Sequence, residues 1–286
     1  MDSIIEALKV FGSPAEDFLH FQAMGGNVSI KGHSVMHVKA SGIGMSPLTE
    51  GSFAEVRIGA TLEQVGAGRP SMEAPMHASF ATKFVFHSHW LPYLAGFMPE
   101  IEKLSSLSKR FIIQELPFRL PGKELSREIV KLLEESQHKT CAILFLKNHG
   151  IVVAFERKEE LDEVMSVFHS AWQDFLLKTK MPPALGISQK SVLLPILGRG
   201  LEKSGLSTEA VLNEAQFVSP DFFLFFQHHS EHKSFSNFDR EMIAASYWLK
   251  MARGHGGVSK SSSLTNEELQ PLLAMEEEKY RMGKNL

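Results

Sequence analysis

The sequence predicts an α/β fold built on a mostly antiparallel central sheet. Two observations carry this expectation. Short apolar segments of strand length are interleaved with helical stretches, but without the regular βαβ alternation of a parallel sheet. Strand-like segments also come in close pairs, 28–31 with 35–39 through Gly32-His33, and 141–146 with 151–155 through Asn148-His149-Gly150. Such spacings suit tight turns between neighbouring strands.

Taken in order, residues 3–22 place apolar side chains at Ile4, Ile5, Leu8, Phe11, Phe18, Leu19 and Phe21. This spacing predicts a short helix, a turn at Gly12-Ser13-Pro14 and a second helix. Gly25-Gly26-Asn27 breaks the chain before the first strand pair, SGIGMSP forms a loop, and residues 53–58 form a further strand. Pro75 suits the first turn of a helix over 75–83. A strand over 84–89 and a helix over 90–98 follow, then a loop at 117–122 and a helix over 124–136. Within 157–180, a charged opening precedes Leu161, Val164, Met165, Phe168, Trp172, Phe175 and Leu176 on one face, the clearest helix in the chain.

Pro182-Pro183 closes this unit, and two parts are expected: 1–181 and a mainly helical C-terminal extension, 182–286. The extension holds LLPILGRG, the apolar SPDFFLFF, helices at 238–253 and from 266, and a glycine-serine linker at 254–263. It is expected to pack on the first part or to make subunit contacts. Gly198, Gly200 and Gly205 miss the G-x-G-x-x-G spacing of a dinucleotide-binding turn, and too little chain follows for such a fold. His228, His229 and His232 in HHSEH read as a polar loop after an apolar strand, the alternative being a second metal site.

Composition excludes several classes. With 286 residues, 43% hydrophobic and 22% charged, the chain is an ordinary globular one, and its net charge of −3 points to neither nucleic acid nor an anionic membrane. A single cysteine rules out an internal disulfide. The first residues do not read as a signal peptide, and no apolar run approaches a membrane span. A cytoplasmic protein is expected.

The stretch RPSMEAPMHASFATKFVFHSH (69–89) concentrates the chemistry. On an extended strand, residues two apart share a face, so His87 and His89 can converge on one ion with Ser88 turned away. The plainer reading is two partly buried histidines at a strand end. Glu73 stands at a helix start that could meet them, and His149 offers a third imidazole at the turn between two apolar strands. Three neutral histidines and an open position are the usual form of a catalytic zinc site, where a nearby carboxylate can handle protons.

Five motifs stand in order: GGNVS (25–29), KASG (39–42), PSMEAPMH (70–77), HSH (87–89) and NHG (148–150). Together they resemble the class II aldolase and adducin family. Their spelling is similar to the aldolase part of rhamnulose-phosphate aldolase–alcohol dehydrogenase fusions, which also continue into an SPD-type segment. The resemblance implies a central sheet between helical layers, a three-layer α/β/α sandwich, assembled as a homo-oligomer, usually a tetramer.

It further implies Zn2+, or another divalent metal, on His87, His89 and His149, with Glu73 as the acid/base that can also ligate the metal when no substrate is bound. Asn27, Ser41, Gly42 and Ser71 match positions that bind a substrate phosphate. Met24 and Met72 replace hydroxyl residues of that phosphate site, and a thioether donates no hydrogen bond. Lys31 and Lys39 either compensate for this loss or are solvated strand-end residues. His77, four residues after Glu73, either supports the carboxylate or is a buried polar group. The activity implied is aldol cleavage or formation in a small, phosphorylated ketose through a metal-stabilised enediolate. The alternatives are an epimerase, dehydratase or decarboxylase on the same site, or a non-enzymatic adducin-like interaction protein.

Overall fold

The computed structural model describes residues 2–136, 140–229, 236–254 and 263–275, without the side chains of residues 228 and 229. Helix α1 (Asp2–Phe11) leads through a single 3-10 turn (Pro14–Glu16) to strands β1 (Asn27–Lys31), β2 (Val35–Lys39), β3 (Phe53–Arg57) and the short β4 (Glu63–Gln64). Helix α2 (Ala74–Ala78), strand β5 (Phe84–Ser88), helices α3 (Leu91–Ala95) and α4 (Ile101–Ser108) and strand β6 (Phe111–Leu116) follow. Then come α5 (Lys123–Glu135), β7 (Cys141–Leu146), β8 (Gly150–Phe155) and the long α6 (Lys158–Thr179). The extension is helical: α7 (Lys190–Ser204), α8 (Thr208–Ala215), α9 (Pro220–His229), α10 (Asn237–Gly254) and α11 (Asn266–Ala274).

All eight strands form one sheet in the order β4-β3-β2-β1-β5-β8-β7-β6. Every neighbouring pair is antiparallel except β6 and β7. The exception has a topological cause. Helix α5 carries the chain from β6 to β7, and a crossover of that kind returns the next strand parallel.

The pleat sorts β5 and β8 between two apolar clusters. Phe84, Phe86, Ile151, Val153 and Phe155 join the cluster containing Phe168 and Trp172 of α6. Val85, Val152 and Ala154 join the one containing Met76 of α2 and Leu125 and Ile129 of α5. The first cluster continues into the extension through Leu193, Leu197, Val211, Phe222 and Trp248. Trp248 and Trp172 meet with ring centroids 5.8 Å apart.

Several expectations are corrected. No second α-helix follows α1, because the backbone there is committed elsewhere. The Phe18 N–H donates to Ser188, while His20 and Leu19 accept from His89 and Leu91. Helices α2 and α3 are shorter than expected; Gly96, with φ of 107°, ends α3. Strands β4 and β6 and helix α4 were not anticipated. The apolar SPDFFLFF segment is helical rather than a strand, with Pro220 as first residue of α9. GRGLEKSG lies at the end of α7, whose C-cap Gly205 adopts the left-handed conformation, so it forms no phosphate-binding turn. His232 and the side chains of His228 and His229 lie outside the described residues, as does most of the glycine-serine linker.

Because Trp248 shares its core with α6, Trp248→Ala should lower the unfolding free energy by about 3–5 kcal/mol. Denaturant unfolding followed by far-UV dichroism checks this. A loss below about 1 kcal/mol would contradict the tight packing seen at this residue.

Candidate metal centre

Strand β5 lies between β1 and β8, with Asn27 opposite His87 and His87 opposite Val152. His89 follows the strand end, and the β7–β8 turn delivers His149 beside them. That turn demands its sequence. Asn148 has φ of 56°, and a Cβ on Gly150 would stand 2.2 Å from the Ser88 carbonyl oxygen. A side chain at Gly150 would therefore push the two histidine-bearing strands apart.

The three rings converge. His87 Nε2 and His89 Nε2 are 3.2 Å apart, and one ring nitrogen from each of His87, His89 and His149 lies within 4.8 Å of the others. Glu73, the N-cap residue of α2, places Oε2 3.4 Å from His87 Nε2 and Oε1 3.1 Å from His149 Nε2. All four side chains are buried. Burial lowers the His87 pKa to about 3, which keeps that ring neutral. Burial works against charge on Glu73 too, but positive charge at the facing His87 and His149 rings outweighs it and holds the carboxyl well below its usual range, so the cluster favours a carboxylate with a positive charge beside it.

Further side chains orient these. The His87 Nδ1–H donates to the Ile151 carbonyl at 2.9 Å. His89 Nδ1 lies 2.9 Å from Asp221 Oδ2, a carboxylate supplied by α9. Gly25 lies against this pair, since a Cβ there would be 2.6 Å from Asp221 Oδ2 and 2.8 Å from His89 Nδ1. The Asn27 amide donates to Glu73 Oε2 at 2.6 Å and to Ser71 Oγ at 3.2 Å. His77 Nε2 bonds to Asn27 Oδ1, and its Nδ1 bonds to Ser29 Oγ at 2.8 Å. Since Asn27 Oδ1 can only accept, His77 Nε2 carries the proton and Ser29 donates to Nδ1. Both readings of His77 are thus met: it is buried, and it supports Glu73 through Asn27.

These residues fit a divalent cation. A carbonyl and a carboxylate take the Nδ1 protons of His87 and His89, so in the neutral rings two Nε2 lone pairs face each other. Such an arrangement is repulsive unless a cation lies between them, and metal-bound histidines are commonly oriented by this kind of outer hydrogen bond. Glu73 Oε1 and His149 Nδ1 are also buried without a hydrogen-bond partner.

The cleft above the histidines brings together Asn27, Lys39, Ser41, Gly42, Ser71, Glu73, His89 and His149, with Met24 and Met72 also in its wall. Lys39 is buried, not solvated; its ammonium donates to Met24 O at 3.1 Å and Ile43 O at 2.5 Å. Lys31 does not join it. Its ammonium donates to Thr82 O at the far end of β1, and burial lowers its pKa to about 7. Asp221 was missed from the sequence, where the only signal was the SPD segment, with nothing to tie it to His89.

The Class II Aldolase and Adducin N-terminal domain model matches residues 15–173, more than half of the 286 residues. The chain belongs to this family. Solved structures of class II aldolase proteins resemble part of it. The N-terminal class II aldolase domain of a conserved protein from Thermoplasma acidophilum is 21% identical, covering 62% of this chain and 93% of its own, with a TM-score of 0.45. An L-fuculose 1-phosphate aldolase is 20% identical over 64% of this chain and 87% of its own, with a TM-score of 0.45. L-fuculose-1-phosphate aldolase from Thermus thermophilus is 17% identical over 60% of this chain and 98% of its own, with a TM-score of 0.40. Likenesses of this size say nothing about substrate. No curated protein sequence matches.

Asp221→Asn keeps the size of the residue but removes the charge facing His89. It should weaken metal binding by about 10–100-fold in chelator competition while leaving the far-UV spectrum unchanged. Wild-type affinity in that variant would show that α9 only covers the site.

Proposed function

We propose that this class II aldolase family member is a divalent-metal-dependent lyase that cleaves or forms a C–C bond in a small, phosphorylated ketose. The observation that carries the reading is the convergence of three imidazoles with one carboxylate at the floor of a polar cleft. An all-imidazole donor set leaves the cation its full charge, and zinc is the metal best suited to it. Bound there, such a cation would polarise adjacent carbonyl and hydroxyl oxygens of the substrate and stabilise the enediolate formed beside them.

The chain's own residues supply the rest. Glu73 is ionised and aimed by Asn27, so it can take or return the proton at the reacting carbon. Burial of the surrounding histidines keeps bulk water from competing for that proton. Lys39 gives the cleft a fixed positive charge, and Ser41, Gly42 and Ser71 add short polar groups for an anionic substrate end. Met24 and Met72 donate no hydrogen bonds, so Lys39 is assigned the larger share of anion recognition. Assembly as a homo-oligomer, a tetramer, and action in the cytoplasm are proposed with this reading on the strength of family membership. Among the described residues no helix is long and apolar enough to cross a membrane.

A panel of sugar phosphates with product analysis tests the proposal. Aldehyde and ketone fragments should appear with metal present and vanish with chelator. Epimerised or decarboxylated products without fragments would replace the lyase reading. Glu73→Gln should cut turnover by ~10²-fold or more while metal content largely persists; near-normal turnover would move proton transfer to another group. Lys39→Met should raise KM for a phosphorylated substrate by ~10-fold or more, and for its neutral analogue much less, consistent with losing a charge-assisted bond. Equal effects on both substrates would remove Lys39 from anion recognition.

A further inference from the structure

On the opposite face of the β5 end, the Ser88 side chain points away from His87 and meets a second cluster. Ser88 Oγ is 2.9 Å from His20 Nδ1. His20 is fully buried, stacked on Trp90 with centroids 5.8 Å apart and edge-on to Phe86. Its Nε2 has no hydrogen-bond partner. Close by, Asp17 Oδ2 lies 2.8 Å from His169 Nε2, as an ion pair when that ring is protonated. Asp17 Oδ1 is already occupied, accepting from the Leu19 N–H at 2.9 Å. One ligand atom from each of Asp17, His20 and His169 lies within 4.8 Å of the other two.

We propose that Asp17, His20 and His169 form a second divalent-metal site, for a zinc-like cation, separate from the aldolase centre. Two imidazoles and one carboxylate are a common ligand set for zinc and other first-row ions. Each donor is prepared for it. When His20 Nδ1–H donates to Ser88 Oγ, the Nε2 lone pair points into the cluster, the outer-shell arrangement that metal-bound histidines use. The Leu19 N–H holds Asp17 so that Oδ2 faces inward. His169 sits on the regular helix α6, which fixes its position independently of the 17–20 turn.

That turn is itself anchored. Asp17 bridges to Gln189, and the Phe18 N–H donates to Ser188 O. A surface cleft lined by Asp17 and His169 opens the cluster to solvent, with Glu16 and Asp162 adding carboxylates against one lysine, Lys158. This local excess of negative charge favours cation entry. Without an ion, the buried Nε2 of His20 remains unsatisfied, a costly state in a folded chain. The second site would also brace the first, because the His89 N–H donates to His20 O at 3.1 Å and Ser88 stands between His87 and His89.

The test uses the full chain, stripped with chelator, reloaded with Zn2+ alone and freed of unbound metal before elemental analysis. The wild type should hold about two ions per chain, His89→Ala about one, His169→Ala about one, and the double variant almost none. Asp17→Asn, in the His89→Ala background, should lose the remaining ion while keeping its far-UV spectrum. In the same background, Co2+ should give a visible absorption band that His169→Ala abolishes. Failure of His89→Ala to hold any zinc would overturn the second site and leave the aldolase centre standing. Equal zinc content with and without His169→Ala would overturn it as well. An ion that survives His89→Ala but not His169→Ala supports the second site whatever the fate of the first.

Discussion

Two imidazole lone pairs held face to face are the constraint on which the rest of this structure turns. His87 and His89 approach to 3.2 Å at Nε2 because their other nitrogens are tied to Ile151 O and Asp221. A buried pair of this kind is tolerable only with positive charge between the rings. The sheet order, the glycine turn beside Ser88 and the helical extension all serve to bring these donors together and hold them there.

The extension is therefore more than an appendage to the sheet. Helix α9 brings Asp221 to His89, and α7, α8 and α10 share one apolar cluster with α6. Gly25 links the beginning of the chain to this arrangement, since only a residue without a side chain leaves room for the Asp221–His89 pair. A polar chain from Ser29 through His77 and Asn27 to Glu73 orients the carboxylate from the opposite side. The floor of the cleft is thus held through the polar contacts of Glu73, His87 and His89.

Much of this was legible in the sequence, and for local reasons. Period-two alternation on a strand placed His87 and Ser88 on opposite faces, and the Asn-His-Gly turn located His149. Pro75 marked the start of α2, and with it the position of Glu73. What escaped notice depends on distant parts of the chain. Asp221 reaches His89 only through tertiary packing. The apolar run FFLFF fits a buried strand or a buried helix equally by pattern, and Pro220 at its first turn was the one local sign of a helix. Strand β6 is an edge strand whose Gln114 and Glu115 are exposed, so its pattern was too weak to read. Lys39 reads from the sequence as either an anion-binding or a solvated strand-end lysine; its burial is not local, because the 69–70 segment folds over that end, with Ala40 bridged to Pro70 and the Ser41 N–H bound to Arg69 O.

The central claim is that a divalent cation belongs between these three histidines. Anomalous diffraction at the zinc edge, from crystals of the zinc-loaded protein, tests it most directly. The account predicts a peak about 2.0–2.1 Å from a ring nitrogen of each of His87, His89 and His149, with His87 Nδ1 still bonded to Ile151 O and His89 Nδ1 still against Asp221. Absence of a peak there, with the rings still 3.2 Å apart at full zinc loading, would contradict it.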